Sequence, residues 1–398
     1  MQNIQNITNN LIYVGSSDRR TALFENIYPI PRGVSYNSYL LTDEKTVLFD
    51  TTDASVAMQF FENVAAALNG RPLDYLVVHH MEPDHAATLQ DLLLRHPETT
   101  VVATAKAVQM MEQFFGTKPA NLQVVKEGDT LSTGCHTLTF IMAPMVHWPE
   151  VMMTYDQTDG TLFSADAFGT FGALSGNLFA NEVNFEQEWL GDARRYYVNI
   201  VGKYGVQVQN VLKKAAALDI KMICPLHGPV WRENLGWFIE KHDIWSKYEP
   251  EEKGVIIIYG SIYGHTEAAA MRMATLLAER GVKNIHVYDA SRTHVSELVA
   301  ECFRASHIVL ASSTYNNGIF TPMENLLLDL KAHAWQKRTV ALIENGSWAP
   351  QSGKLMRAEL EQMKEIAIAG DTLSLKSAAQ PSQEEQLAAL ADQIVATL

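Results

Sequence analysis

Four potential metal ligands fall within six residues, His80-Met-Glu82-Pro-Asp84-His85, and isolated partners for them stand at His147, Asp166 and His227. Seven nitrogen and oxygen donors of this kind can hold two cations. Three carboxylates beside four histidines, with no cysteine near the motif, suit iron or manganese better than zinc, which favours nitrogen and sulfur. Two cations at the ~3.5–4 Å of binuclear sites need a bridging carboxylate, and Asp166, alone in the segment 162–169, is the candidate. Taken singly, each residue has a commoner role: a lone His147 is usually a hydrogen-bonded core or surface residue, and a lone Asp166 a turn or cap. The cluster changes that balance, because burying several carboxylates together without cations would cost several kcal/mol or force protonation. His79, adjacent to the motif, is expected to point to the opposite side.

A second chemistry-bearing segment is Gly260-Ser-Ile-Tyr-Gly-His-Thr266, which follows the apolar run 255–259 and opens a helical stretch at 267–279. Backbone N–H groups at such a helix start, with hydroxyls from Ser261 and Thr266, make an anion site. Neither G-x-G-x-x-G nor G-x-x-x-x-G-K-[ST] is present, which argues against a dinucleotide or a nucleoside triphosphate. The S-x-x-G-x-T spacing, carried by Ser261, Ile262, Tyr263, Gly264, His265 and Thr266, resembles the flavodoxin loop that binds the phosphate of FMN. Two further loops resemble isoalloxazine contacts: Thr314, Tyr315, Asn316, Asn317 and Gly318 after one strand, and Asn345, Gly346, Ser347 and Trp348 after the next. Either alone would read as an ordinary turn. Tyr315 or Trp348 is expected to cover a ring face.

The elements that position these residues divide near residue 250, where a charged stretch broken by Pro and Gly separates 1–250 from 251–398. In the first part, strands are expected at 34–42, 45–51, 99–103, 122–125, 136–142, 151–156 and 161–165, and helices at 55–68, 104–115, 182–201 and 233–248. The metal motif lies in the loop leaving the strand that ends near His79, a position where rigid sheets present chemistry. In the second part five strands alternate with five helices. That pattern indicates a doubly wound sheet of order 2-1-3-4-5, with ligands at the carboxyl ends of its strands. The fold class is therefore α/β.

The metal pattern is similar to the metallo-β-lactamase H-x-H-x-D-H motif, with Glu82 in place of the second histidine. With that change it resembles the flavodiiron proteins. The flanking Ala143-Pro-Met-Val-His-Trp-Pro149, Asp166-Ala-Phe-Gly169 and His227-Gly228 resemble that family too. The resemblance implies an αββα metallo-β-lactamase-like domain followed by a flavodoxin-like domain. One iron would be held by His80, Glu82 and His147, the other by Asp84, His85 and His227, with Asp166 bridging. It also implies reduction of dioxygen to water, nitric oxide to nitrous oxide, or both, with FMN relaying electrons from an external donor such as rubredoxin, a reduced deazaflavin or a reductase. A head-to-tail homodimer or dimer of dimers is implied as well. Trp148, Tyr155, Phe168 and the segment 24–28 are expected as pocket walls. A binuclear zinc hydrolase fused to a flavodoxin-like module is the alternative.

A formal net charge of −14 over 398 residues makes nucleic acid an unsuitable partner. The acidity is uneven, with 18 Lys+Arg against 28 Asp+Glu in 1–250 and 13 against 17 in 251–398. Three scattered cysteines exclude a disulfide framework or a C-x-x-C knuckle. The polar N-terminus lacks the apolar segment of a signal peptide, and no run is long enough to span a bilayer. A cytoplasmic location is expected. The chain is also expected to lack an appended rubredoxin or reductase domain, so that its donor is a separate molecule.

Overall fold

The computed structural model describes residues 1–398 and separates into two compact units, Met1–Tyr197 with Val206–Asp243, and Val198–Gly205 with Ile244–Leu398. In the first unit a seven-stranded sheet runs in the order Gln5–Asn6, Leu11–Tyr13, Tyr39–Thr42, Thr46–Phe49, Tyr75–Val77, Thr100–Thr104, Leu122–Val125. A five-stranded sheet runs Thr130–Ser132, Thr137–Met142, Met152–Asp156, Thr161–Phe163, Met222–Cys224.

Alternation along the strands decides the layering. Leu40, Leu48, Leu76 and Val101 turn to one face and pack with residues of the helices Ala57–Leu68, Leu89–Arg95 and Ala105–Phe115. Their neighbours Tyr39, Phe49, Val77 and Val102 turn to the other face and meet Phe140, Met152, Phe163 and Cys224 of the second sheet. Each sheet thus has a dry inner face, and the unit is an α/β sandwich with a sheet-on-sheet core.

Strands Thr137–Met142 and Thr161–Phe163 are both antiparallel to Met152–Asp156, and Thr161–Phe163 is parallel to Met222–Cys224. The carboxyl ends of three strands of the second sheet therefore share one edge, and the loops that follow them carry His147, Asp166 and His227.

Several elements depart from expectation, among them the strands Leu11–Tyr13, Thr130–Ser132 and Met222–Cys224 and the helix Leu89–Arg95, none of which was expected, and three further cases have a visible cause or consequence. The strand at 34–42 is two strands, Val34–Tyr36 and Tyr39–Thr42, because Asn37 leaves the ladder: its N–H donates to the Leu226 carbonyl and its side-chain amide to the carbonyls of Pro225 and Gly228. That clamp fixes the loop of His227. The helix at 182–201 is broken into Phe185–Glu188 and Leu190–Tyr196, with a π-helical turn at Tyr197–Val201. The helix Gly205–Ala215 has no counterpart in the expected set; the flanking glycines masked its amphipathic pattern, in which Val208 and Val211 are buried and Val206 is exposed.

In the second unit the parallel sheet has the order Ile285–Asp289, Glu252–Gly260, Ala305–Tyr315, Arg338–Asn345, Ile366–Ile368, which is 2-1-3-4-5. The fifth strand is split, since Leu373–Leu375 also pairs with Arg338–Asn345, further along it. Helix Ser352–Leu360 ends ahead of both of these segments, Ile366–Ile368 and Leu373–Leu375.

Candidate functional site

The metal motif begins three residues beyond strand Tyr75–Val77 and ends in a one-turn helix, Pro83–Ala86, started by Pro83 at its first position. Glu82 is the N-cap residue but makes no side-chain cap hydrogen bond, so its carboxylate is free to face inward. His79 points away from the group: its Nδ1 lies 2.5 Å from Asp50 Oδ2 and its Nε2 2.7 Å from Thr154 Oγ1.

Two donor groups result. In the first, His80 Nε2 is 3.2 Å from Glu82 Oε2 and 3.4 Å from His147 Nε2, while His147 Nε2 is 3.0 Å from Glu82 Oε2. In the second, His85 Nε2 is 3.0 Å from His227 Nε2, and Asp84 Oδ2 lies 3.3 Å and 3.2 Å from those two nitrogens. Asp166 joins both, and by different atoms. Its Oδ2 is 3.3 Å from His80 Nε2 and 3.1 Å from His147 Nε2, whereas its Oδ1 is 3.2 Å from His85 Nε2 and 3.5 Å from His227 Nε2.

These groups fit cations. Ligand bonds of ~2.0–2.2 Å put neighbouring donor atoms about 3.0–3.5 Å apart around a metal, the spacing found in both groups. Both oxygens of Asp84 and both of Asp166 are buried without a hydrogen-bond partner, a cost of several kcal/mol unless a positive charge meets them. His80 Nδ1 and His227 Nδ1 lie 2.7 Å from Glu150 Oε1 and from the Ser35 carbonyl, so each Nε2 is left facing its group. In the absence of metal, protons do the neutralising. Burial pulls His85 down, but Asp84 and Asp166 outweigh it and hold the imidazole up to about 9. His147 is likewise held up to about 9 by Asp166 and Glu82 against its own burial. Asp166 lies well below the usual carboxylate range, the neighbouring histidines overcoming desolvation.

The pocket wall is built by residues of which only part were anticipated. Trp148 packs its ring 5.2 Å from His80, and Phe24, within the expected segment 24–28, lies 5.4 Å from His227. Tyr155 and Phe168 are elsewhere: Tyr155 donates to the Asp219 carbonyl, and Phe168 packs 4.5 Å from His242. Glu25 sits in a left-handed turn at φ 48°, and loss of solvent together with the charge of Glu82 pushes its carboxyl up to about 8. Tyr196 and Tyr36 close the His227 side at ring separations of 5.4 and 5.9 Å. The Tyr196 hydroxyl is buried with no partner, and burial followed by Asp166 and Asp84 keeps it firmly protonated. Nothing in the sequence distinguished Tyr196 from its neighbour Tyr197.

In the second unit a cleft of ≈ 510 Å³ lies over the carboxyl ends of three adjacent strands. Gly264, at φ 89°, turns the chain into helix His265–Glu279, and Ser261 Oγ accepts from its N–H at 3.0 Å. Thr266 Oγ1 is 2.9 Å from Ser313 Oγ and accepts from the Asn345 amide at 3.2 Å, which ties the three loops together. Of the residues expected to contact a flavin, Ser261, Ile262, Tyr263, His265, Thr266, Thr314, Tyr315, Asn316, Asn317, Asn345, Gly346, Ser347 and Trp348 line the cleft. Gly264 and Gly318 do not: one shapes the helix start, and the other begins the returning strand of a hairpin whose two-residue turn, Asn316 and Asn317, has φ of 49° and 59°. Ser313, Ala349 and Ser377 complete the lining. Trp348 is 89% exposed and Tyr263 90%.

Comparison with known proteins agrees with both halves. Residues 34–228 match the ODP family beta lactamase model, and residues 257–386 match Flavodoxin. The anaerobic nitric oxide reductase flavorubredoxin of Klebsiella pneumoniae is 31% identical over 348 residues, covering 86% of this chain and 72% of that protein. The chain belongs to the flavodiiron protein family. An uncharacterized protein of Methanocaldococcus jannaschii is 32% identical over 324 residues, spanning 81% of this chain and 80% of its own. Among solved flavodiiron structures, rubredoxin oxygen:oxidoreductase from Desulfovibrio gigas superposes with a TM-score of 0.93 at 28% identity, over 99% of this chain and 98% of that one. As a flavodiiron protein this chain is an oxidoreductase with FMN and a non-haem diiron centre as its cofactors. No helix is long and apolar enough to cross a membrane.

Proposed function

We propose that this flavodiiron protein reduces dioxygen to water, nitric oxide to nitrous oxide, or both, at an iron pair held by His80, Glu82 and His147 on one side and Asp84, His85 and His227 on the other, with Asp166 between. The observation that carries the reading is the division of Asp166, one oxygen directed to each donor group. When bound, the irons would pass electrons to a small ligand and share the charge it gains, with FMN as their source.

The residues of the chain set the conditions for that chemistry. Glu82, whose side chain makes no cap hydrogen bond, and Asp84 bring negative charge into a buried wall, which favours cations. Phe24, Tyr36 and Trp148 restrict water around the donors. Tyr196, protonated and without an acceptor, is a hydroxyl donor in reserve for an oxygen atom that gains charge beside it. In the cleft of the other unit, Ser261, Thr266 and the start of helix His265–Glu279 suit a phosphomonoester, and the exposed Trp348 and Tyr315 suit a ring face.

Functionally the chain divides near residue 250 into a diiron domain and an FMN domain, and its electrons come from a donor such as rubredoxin, a reduced deazaflavin or a dedicated reductase. A head-to-tail homodimer or dimer of dimers and a cytoplasmic location complete the reading; the scattered free cysteines suit a reducing compartment. A zinc hydrolase is not favoured, since a hydrolase has no use for a flavin and the donor set holds three carboxylates and no cysteine.

The test reduces the protein chemically under anaerobic conditions, then adds dioxygen or nitric oxide and measures dioxygen consumption or nitrous oxide formation. Iron-loaded protein turning over at least one gas is the expected result. Equal or higher turnover of an ester or amide by the zinc-loaded form, with neither gas consumed by the iron form, would overturn it.

A further inference from the structure

A metal-facing imidazole is governed also by the partner of its far nitrogen, because that hydrogen bond fixes the tautomer and raises the donor strength of the other nitrogen. Three histidines of the two donor groups differ in this respect. His80 Nδ1 lies 2.7 Å from Glu150 Oε1, with both side chains wholly buried. His227 Nδ1 lies 2.7 Å from the Ser35 carbonyl. His85 Nδ1 is buried with no hydrogen-bond partner. One imidazole is backed by an anion, one by a neutral dipole and one by nothing.

Glu150 is held in place from several sides. Its Oε1 also accepts from the N–H of Met81 at 2.9 Å, and its backbone carbonyl accepts from Thr104 Oγ1 at 3.1 Å. Its Oε2 is buried and unpartnered, so the carboxylate spends its charge on His80 and the backbone beside it. If satisfying a ring N–H were its only task, a carbonyl would serve, as Ser35 does for His227. A buried carboxylate is the costlier choice.

We infer that Glu150 is a positioning residue that grades the two metal sites: it turns His80 Nε2 toward the first group and makes that imidazole the stronger donor, so the metal of His80, Glu82 and His147 is held more tightly and at lower potential than the metal of Asp84, His85 and His227. The inference rests on the two-iron reading above and ranks the members of that pair.

The experiment uses the full chain loaded with iron, as wild type, Glu150→Gln and Asp84→Asn. Glu150→Gln keeps the size and an acceptor oxygen and removes the charge; Asp84→Asn marks which step belongs to the second group. Iron is withdrawn with a graded chelator and counted per chain, and a redox titration is followed by electron paramagnetic resonance of the half-reduced pair. Wild type should release iron in two steps, the first group last. Glu150→Gln should weaken that last step by about 10- to 100-fold and move the other by less than about threefold. If the oxidised metal alone loses tenfold, its potential rises by about 59 mV. Glu150→Gln protein that keeps both irons and follows the wild-type chelation curve and titration overturns the grading while leaving the iron pair intact, as does a loss confined to the Asp84 step. Wild type that takes up fewer than two irons overturns the reading underneath it.

Discussion

The metal centre and the flavin cleft solve opposite problems. At the metal centre, seven ionisable side chains are packed into a wall where every one is buried. Their charges become an asset only when cations meet them. In the cleft, by contrast, the binding surface is made of backbone turns, hydroxyls and exposed rings, and it stays largely open. Charge density on rigid strand ends selects a metal; neutral donors at a helix start and strand ends select a phosphate and a planar ring. The two sites should therefore fail in different ways, and the following variants separate them.

The largest effect is expected at Asp166. Asp166→Ala removes at once the two oxygens that face the two donor groups, so metal analysis should fall from two irons per chain to one or none and gas reduction by at least about 100-fold, while flavin absorbance per chain stays at the wild-type level. Flavin lost in parallel with iron would show the two sites to be coupled in stability and break the contrast.

Next comes proton competition. The carboxylates raise His85 and His147 to about 9 in the metal-free protein, so below that pH a metal must displace protons to bind. Affinity for ferrous iron should therefore rise as pH increases from 6 to about 9 and flatten above it, whereas FMN affinity over that range should change much less. Equilibrium dialysis at fixed ionic strength measures both; a metal affinity independent of pH between 6 and 9 contradicts the charge balance described for the cluster.

A smaller effect is expected from Thr266→Val. Its hydroxyl links Ser313 and Asn345, and losing a hydrogen bond worth about 0.5–1.5 kcal/mol should weaken FMN binding by roughly 2- to 10-fold without changing iron content. The smallest is Trp348→Ala. An exposed residue contributes within about 0.5 kcal/mol to stability, so the melting temperature of flavin-free protein should be unchanged, and loss of ring contact should weaken FMN by only a few-fold. Flavin fluorescence titration reads both, and a larger effect at Trp348 than at Thr266 would reverse the ranking given to ring and hydroxyls.

The same contrast explains what was legible in the sequence. His80, Glu82, Asp84 and His85 could be found because metal ligation demands particular side chains, and four of them crowd into six residues. The parallel sheet of the second unit was legible from apolar runs and alternation, down to its strand order. What escaped was set by three-dimensional packing. Glu150 follows Pro149 with no pattern of its own, and only the fold brings it to His80 Nδ1. Tyr196 lies in a helix interrupted by a π-turn, where propensity had indicated one continuous helix. Ser377 reaches the cleft from beyond the last short strand, and Asn37, which looks like part of a strand, instead ties down the His227 loop.

The central claim is that electrons held by FMN leave through the metal pair. The direct measurement is rapid mixing of fully reduced protein with dioxygen or nitric oxide, following flavin reoxidation for the iron-loaded protein and for the same protein stripped of iron but retaining FMN. Reoxidation that is at least about tenfold faster with iron present, with product formed in proportion, is the predicted result. Equal rates in the two preparations, for both gases, would contradict it.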